Sequence, residues 1–295
     1  MSVDRGEVTD LAAVQGYGEG GQRSAGASGT ALQLLHTDLM VDTSSADAPL
    51  PARAGWRVAR GDVEVIFNVS VVIPCVNEAL NLPSVLSQMP PGVVEVVIVD
   101  GESTDGTADI AREIRPDVII IERDRTGKGD ALKAGFEACT GDIIVMLDGD
   151  GSMSPREIGS MVMALANGAD MVKGSRNLEE GHSADLTFIR DMGNRALSGL
   201  FNLIFDASHT DLCYGYLAFW RKHLWALTPN CAGFEVETFL NVRANRAGFH
   251  VVEVPSKEGR RLYGESNLNP IRDGLRIVRT MYRERRAPRP VPITD

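Results

Sequence analysis

Short runs of branched aliphatic residues recur along this chain, and each stops at a proline or an acidic residue. Val69-Ser70-Val71-Val72-Ile73 ends at Pro74, Val94 to Val99 ends at Asp100, and Ile143-Ile144-Val145-Met146-Leu147 ends at Asp148. A fourth run spans Val118 to Ile121. Continuous apolar runs of this length read as strands buried on both faces. Between them lie segments with helix-start signals. One opens at Asn77-Glu78 and runs to about Gln88, one runs from Thr107 to Ile114, and one ends near Cys139. Strand and helix thus alternate four times with short connections, which predicts an α/β fold with a mostly parallel sheet covered on both faces.

Ligands of such sheets sit beyond the carboxyl ends of the strands. Four loops should therefore share one rim: Pro74 to Glu78, Asp100 to Asp105, Arg125 to Gly129 and Asp148 to Ser152. On an extended backbone Asp148 and Asp150, separated by Gly149, face the same side. Paired carboxylates there suit Mg²⁺ or Mn²⁺, which bind a few carboxylates together with phosphate oxygens. The rim also offers Asp100 for a ribose or base and Lys128 for phosphate. A nucleoside diphosphate needs that set. Taken singly, each residue has a plainer reading: an acidic turn for Asp148 and Asp150, a helix cap for Asp100, a solvated loop lysine for Lys128.

Before the first strand the pattern is different. Residues 1–60 are rich in Gly, Ala, Ser, Thr and Asp, and show little periodicity beyond Ala31-Leu32-Gln33-Leu34-Leu35, so they read as a disordered or loosely attached extension. The folded body is expected over residues 61–256, with its structure starting near Val65. Leu186 to Phe205 reads as an apolar-rich helix bearing Arg190 and Arg195, either packed in the core or bordering an acceptor entrance. Residues 257–295 form a basic amphipathic segment. Ile271, Leu275, Val278 and Tyr282 make one helical stripe, with Arg272, Arg276, Arg279, Arg283 and Arg286 beside it. Such paired stripes suit either an anionic membrane surface or a helix packed on the body with a solvated basic face.

Composition narrows the partners. The chain has 295 residues and a net charge of −10, which argues against nucleic acid. Its four cysteines lie far apart without a Cys-x-x-Cys pair, so structural zinc and a disulfide framework are not expected, and a reducing cytosol fits. No apolar run reaches the length of a membrane span and no signal-peptide core is present. A cytoplasmic protein, peripheral on the inner membrane face at most, is expected. A homodimer is compatible with the same reading.

Several motifs then come together. Val72 to Glu78, Val99-Asp100 through Thr107, Asp148-Gly149-Asp150 and Gly174-Ser175-Arg176 resemble those of the family-2 glycosyltransferases with the GT-A, Rossmann-like fold. Thr210 to Tyr216, Val252 to Pro255 and Arg261 to Asn267 match in the same order, and the likeness is nearest to the polyprenyl-phosphate (dolichyl-phosphate) sugar transferases. The resemblance implies that Pro74, Val76 and Glu78 contact the nucleotide base, that Asp100 binds base or ribose, and that Asp148, Gly149 and Asp150 meet metal and diphosphate. It further implies Ser152 as a metal contact, Arg176 on the sugar or acceptor side, and Arg261 with Asn267 at the phosphates. Two positions depart from the family pattern: Asn267 replaces a lysine, and Phe239 stands where many members have an acid.

The expected activity is metal-dependent, inverting transfer of a hexose from a nucleoside-diphosphate sugar of the GDP-mannose or UDP-glucose type to polyprenyl phosphate. A soluble hydroxyl acceptor is the alternative, and such an acceptor needs a general base. Asp211 is the first candidate for base or acceptor-orienting group, followed by Glu235 and Glu237. A non-catalytic nucleotide-sugar-binding protein is the alternative of another class.

Overall fold

The computed structural model of the protein describes residues 55–60, 63–124, 127–264 and 270–291. Nearly all of the expected N-terminal extension, and Asn267, lie outside the described residues. In chain order the strands and helices are β1 (Trp56–Arg60), β2 (Val63–Phe67), β3 (Val69–Cys75), α1 (Leu82–Ser87), β4 (Val93–Asp100), α2 (Thr107–Ile114), β5 (Ile119–Glu122), α3 (Lys128–Ala138) and β6 (Ile143–Met146). There follow α4 (Ile158–Ala166), β7 (Met171–Ser175), β8 (His182–Ser183), α5 (Phe188–Phe205), β9 (Leu217–Trp220), α6 (Leu224–Leu227), α7 (Val236–Ala247), β10 (Val251–Pro255), β11 (Lys257–Glu258) and α8 (Pro270–Arg286).

Seven strands form the central sheet in the order β10-β7-β9-β6-β3-β4-β5. All neighbours are parallel except those of β9, which runs antiparallel between β6 and β7. The two-residue period of β3 divides the core. Val71 and Ile73 join a cluster with Leu82 and Val85 of α1 and Met161 of α4. Val72 points the other way, toward Leu132 and Phe136 of α3 and Phe239 of α7. Each such side chain, fully removed from water, contributes roughly 1.5–3 kcal/mol, so both layers of helices are held by the sheet. A third cluster, Phe201, Val242, Ile277 and Met281, ties α5, α7 and α8 together.

Three expectations are corrected. Structure begins before residue 61: β1 pairs with β2, Val58 is buried, and Trp56 packs on the core. The alternation of Trp56-Arg57-Val58 is too short to stand out from the segment before it. The expected boundary after residue 256 falls between β10 and β11, where only Ser256 separates two strands. Finally, the helix expected from Asn77 begins at Leu82. Its supposed first turn is captured by a distant loop: Asn77 N donates to Ser103 Oγ, Glu78 N to Thr107 Oγ1 and Ala79 N to Asp105 Oδ2, at 2.8, 2.9 and 3.0 Å. Asn77 adopts φ +57°, a left-handed conformation that asparagine tolerates better than most residues.

Candidate active site

β6 ends at Met146, and Asp148-Gly149-Asp150 follow it in a turn. Both carboxylates reach the same cavity through that turn, rather than through continued strand alternation. The cavity, about 670 Å³, is lined by Pro74, Val76, Glu78, Asp148, Gly149, Asp150 and Ser152, as the rim argument expected. The same cavity is also lined by Ile189, Arg190 and Leu197 of α5 and by Arg272, Gly274 and Ile277 of α8.

The acidic lining is threaded with bases. Lys128 Nζ lies 2.6 Å from Asp148 Oδ1 and 2.7 Å from Glu237 Oε1. Burial opposes its charge, but the two carboxylates outweigh that and hold its proton above the usual lysine range. Burial raises the Glu237 carboxyl in turn, and Lys128 opposes that rise. Lys128 stands at the start of α3 because the backbone there is pinched: Gly129 N donates to Ala232 O at 2.7 Å. A Cβ on Gly129 would meet Cys231 O at 1.9 Å. Gly129→Ala is therefore expected to cost about 1–3 kcal/mol and to loosen Lys128, seen as a lowered melting temperature together with weaker donor binding.

Arg261 plays a similar part at Asp150. Its Nη2 lies 2.6 Å from Glu78 Oε1 and its Nε 3.5 Å from Asp150 Oδ2. Asn81, which lies inside the helix expected from Asn77, fixes this corner. Its Oδ1 accepts from Tyr263 N at 3.0 Å, and its Nδ2 donates to Glu78 Oε2 at 2.5 Å. Burial raises the Glu78 carboxyl, while Asn81 and Arg261 favour its charge. Ser152 touches Asp150 through its backbone N, 3.0 Å from Oδ1.

Asp100 is placed differently from the expectation. Its Oδ1 accepts from Ser103 N at 3.2 Å and from Ser103 Oγ, and it lines a neighbouring cavity of about 550 Å³. Arg123 and Asp124 line both cavities.

Asp211 does not have the character of a base. It is fully buried, Oδ2 accepts from Arg176 N and Nε at 3.1 and 2.7 Å, and Oδ1 accepts from Arg176 Nη2 and Asn194 Nδ2 at 2.9 and 2.8 Å. Burial works against its charge, yet these contacts, led by the Arg176 hydrogen bond, bring its carboxyl down to about 2. A carboxylate so saturated orients Arg176 and takes no proton from a substrate at neutral pH. Arg176 completes its set with Glu258 at 3.1 Å and lies over the Tyr214 ring at 4.5 Å. Glu258 is a partner that the sequence reading missed, because nothing local in Lys257-Glu258-Gly259 marks it. Glu235 turns back on Gly233, whose N–H it accepts at 3.3 Å, and does not line the cavity; Glu237 does.

A family model described as glycosyl transferase family 2 matches residues 70–228. The chain belongs to that family. Glycosyltransferase AglJ of Haloferax volcanii is 31% identical over 226 residues, covering 76% of this chain and 74% of that protein. The undecaprenyl-phosphate 4-deoxy-4-formamido-L-arabinose transferase of Enterobacter sp. is 30% identical, covering 75% and 67%. The dolichol-phosphate mannosyltransferase of Pyrococcus furiosus is 29% identical, covering 68% and 59%. Among solved structures, glucosyl-3-phosphoglycerate synthase of Mycobacterium tuberculosis with Mn²⁺, UDP-glucose and phosphoglyceric acid superposes with a TM-score of 0.60 at 24% identity, covering 75% and 81%. This family 2 glycosyltransferase thus has the GT-A fold that the resemblance of its motifs implied, built on the mostly parallel sheet that its strand and helix alternation predicted.

Proposed function

We propose that this glycosyltransferase moves a hexose, with inversion, from a nucleoside-diphosphate sugar to a polyprenyl phosphate. The observation that carries the reading is the cavity's lining, which joins the Asp148 and Asp150 carboxylates to residues of α5 and α8. Both helices also expose apolar side chains. Phe188 and Ile189 are each 77% exposed, Ile271 78% and Leu275 68%. α8 carries six arginines and two acids, and both acids, Asp273 and Glu284, are buried on the packed face. Its outer face is therefore apolar and purely cationic, which suits an anionic membrane surface. Among the described residues no helix is long and apolar enough to cross a membrane.

Asp148 and Asp150 fit a divalent cation. Among the described residues no three acidic, histidine or cysteine groups gather into a metal site, and Mg²⁺ or Mn²⁺ characteristically completes two carboxylates with phosphate oxygens. Bound there, the ion would stabilise the charge of the departing diphosphate. An acceptor phosphate oxygen attacks the anomeric carbon as the bond to the diphosphate breaks, and the diphosphate leaves with the electron pair. A phosphate attacks as an anion and needs no base, which agrees with an Asp211 committed to Arg176. Relatives named for undecaprenyl phosphate and dolichol phosphate support the same acceptor class.

The test exploits α8. Arg272 lines the cavity, so it is left in place. Replacing Arg279, Arg283 and Arg286 with Gln should weaken binding to anionic liposomes roughly 100-fold, at about 1 kcal/mol per arginine, and slow transfer to lipid phosphate. Donor affinity should not change, and wild-type binding should fall steeply as salt rises. A wild type that ignores anionic liposomes and glycosylates a soluble hydroxyl would refute the lipid reading.

A further inference from the structure

Each carboxylate of the turn after β6 already carries a base of the chain itself, Lys128 on Asp148 and Arg261 on Asp150. Each base also grips a second, buried carboxylate: Glu237 holds Lys128 at 2.7 Å and Glu78 holds Arg261 at 2.6 Å. The two arrangements come from different elements, one from α3 and α7, the other from the loop after β3 and the segment after β11. A lysine meant only for phosphate would not need two carboxylates within 2.7 Å.

We infer that Lys128 and Arg261 are resident counter-ions that compete with a divalent cation for Asp148 and Asp150, and that a nucleoside diphosphate relieves the competition by offering both bases a new anion. The inference rests on the donor and metal chemistry proposed above and is independent of the acceptor. A cation approaching Asp148 and Asp150 alone meets carboxylates that are already neutralised, with two positive charges beside them. When the diphosphate arrives, its oxygens take up the bases, and the carboxylates are released to the metal. Glu237 and Glu78 keep the bases tethered throughout, so each changes partners without moving into solvent. Confinement favours such an exchange. Lys128 is held by the glycine pinch at the start of α3, and a Cβ on Gly215 would lie 3.1 Å from its Nζ and 3.2 Å from Glu237 Oε1. Metal and diphosphate are thereby coupled, and the coupling is reciprocal by linkage.

Mn²⁺ titrations of the full chain, followed by the electron paramagnetic resonance of the free ion with and without UDP or GDP, test this directly. In the wild type, one of the saturating diphosphates should lower the Mn²⁺ Kd by about tenfold or more, a coupling of about 1.4 kcal/mol. Lys128→Met should bind Mn²⁺ alone about tenfold more tightly than the wild type and respond less to diphosphate. Because that variant leaves Glu237 buried without its partner, the double variant Lys128→Met/Glu237→Gln repeats the measurement with the pair replaced, and should shift Mn²⁺ binding in the same direction. Variants that bind Mn²⁺ alone no more tightly than the wild type would overturn the competition. A wild type that binds Mn²⁺ equally well with and without either diphosphate would overturn the coupling while leaving the metal-dependent reading in place. A wild type that binds no Mn²⁺ under any of these conditions would overturn both.

Discussion

Asp150→Ala should lower glycosyl transfer by about a thousandfold or more while leaving the protein folded. An ion that stabilises the departing diphosphate contributes several kcal/mol to the transition state, and about 4 kcal/mol corresponds to that factor. Stability should change little, because Asp150 lies at the cavity rim with a fifth of its side chain exposed. Among the described residues its carboxylate meets Ser152 N at 3.0 Å and Arg261 at 3.5 Å, whereas the backbone carbonyl that receives Leu262 N survives the substitution. Arg261 also retains Glu78. The measurement is turnover together with melting temperature in the presence of UDP- and GDP-sugars, with and without Mn²⁺, since a true ligand raises the midpoint by mass action. Loss of both turnover and the Mn²⁺-dependent shift is the expected pair of results. Undiminished turnover would remove Asp150 from the metal site.

What was legible in the sequence was what local pattern dictates. The apolar runs of β3, β4 and β6 declare buried strands, and the acidic turn after β6 follows from the residues that end its run. The rim placed Pro74, Glu78, Lys128, Asp148 and Asp150 around one cavity, as the position of loops after parallel strands requires. Pairings between distant residues were not legible. Asn77 to Ala79 look like a helix start until Ser103, Asp105 and Thr107 take their N–H groups. Lys128 finds Glu237 across 109 positions, and Arg176 finds Asp211 across 35. No side-chain spacing encodes such contacts; they arise from the order in which the sheet assembles its strands. The antiparallel insertion of β9 beside β6 belongs to the same class. On α5, the apolar count alone could not say that Phe201 is buried while Phe188 and Ile189 face outward.

Asp211 is the residue whose expected role changed most, and its replacement should have the largest effect on stability. Asp211→Ala removes the partner of Arg176 and Asn194 in a region closed to solvent, leaving the guanidinium with Glu258 as its remaining carboxylate. The same neighbourhood holds Lys173, fully buried, which donates to Asp211 O and lies 3.7 Å from Glu253. Breaking a buried pair in this way typically costs 3–5 kcal/mol. Asp211→Asn should cost less, because it preserves shape, but it turns an amide toward a guanidinium and so releases Arg176 from its fixed orientation. Acid should distinguish the variants further. The folded-state carboxyl titrates at about 2, below the unfolded value of about 3.9, so its contribution is fully present above roughly pH 4 to 5 and is lost as pH falls through about 2. Unfolding curves between pH 5 and 2 should therefore show a steeper loss of stability for the wild type than for Asp211→Asn. Transfer should weaken in both variants in step with the loss of Arg176 placement, seen first in KM for the acceptor. If instead Asp211→Asn melted like the wild type at every pH and lost turnover outright, the carboxylate would be taking a proton from the acceptor, and the hydroxyl-acceptor chemistry would displace the phosphate one.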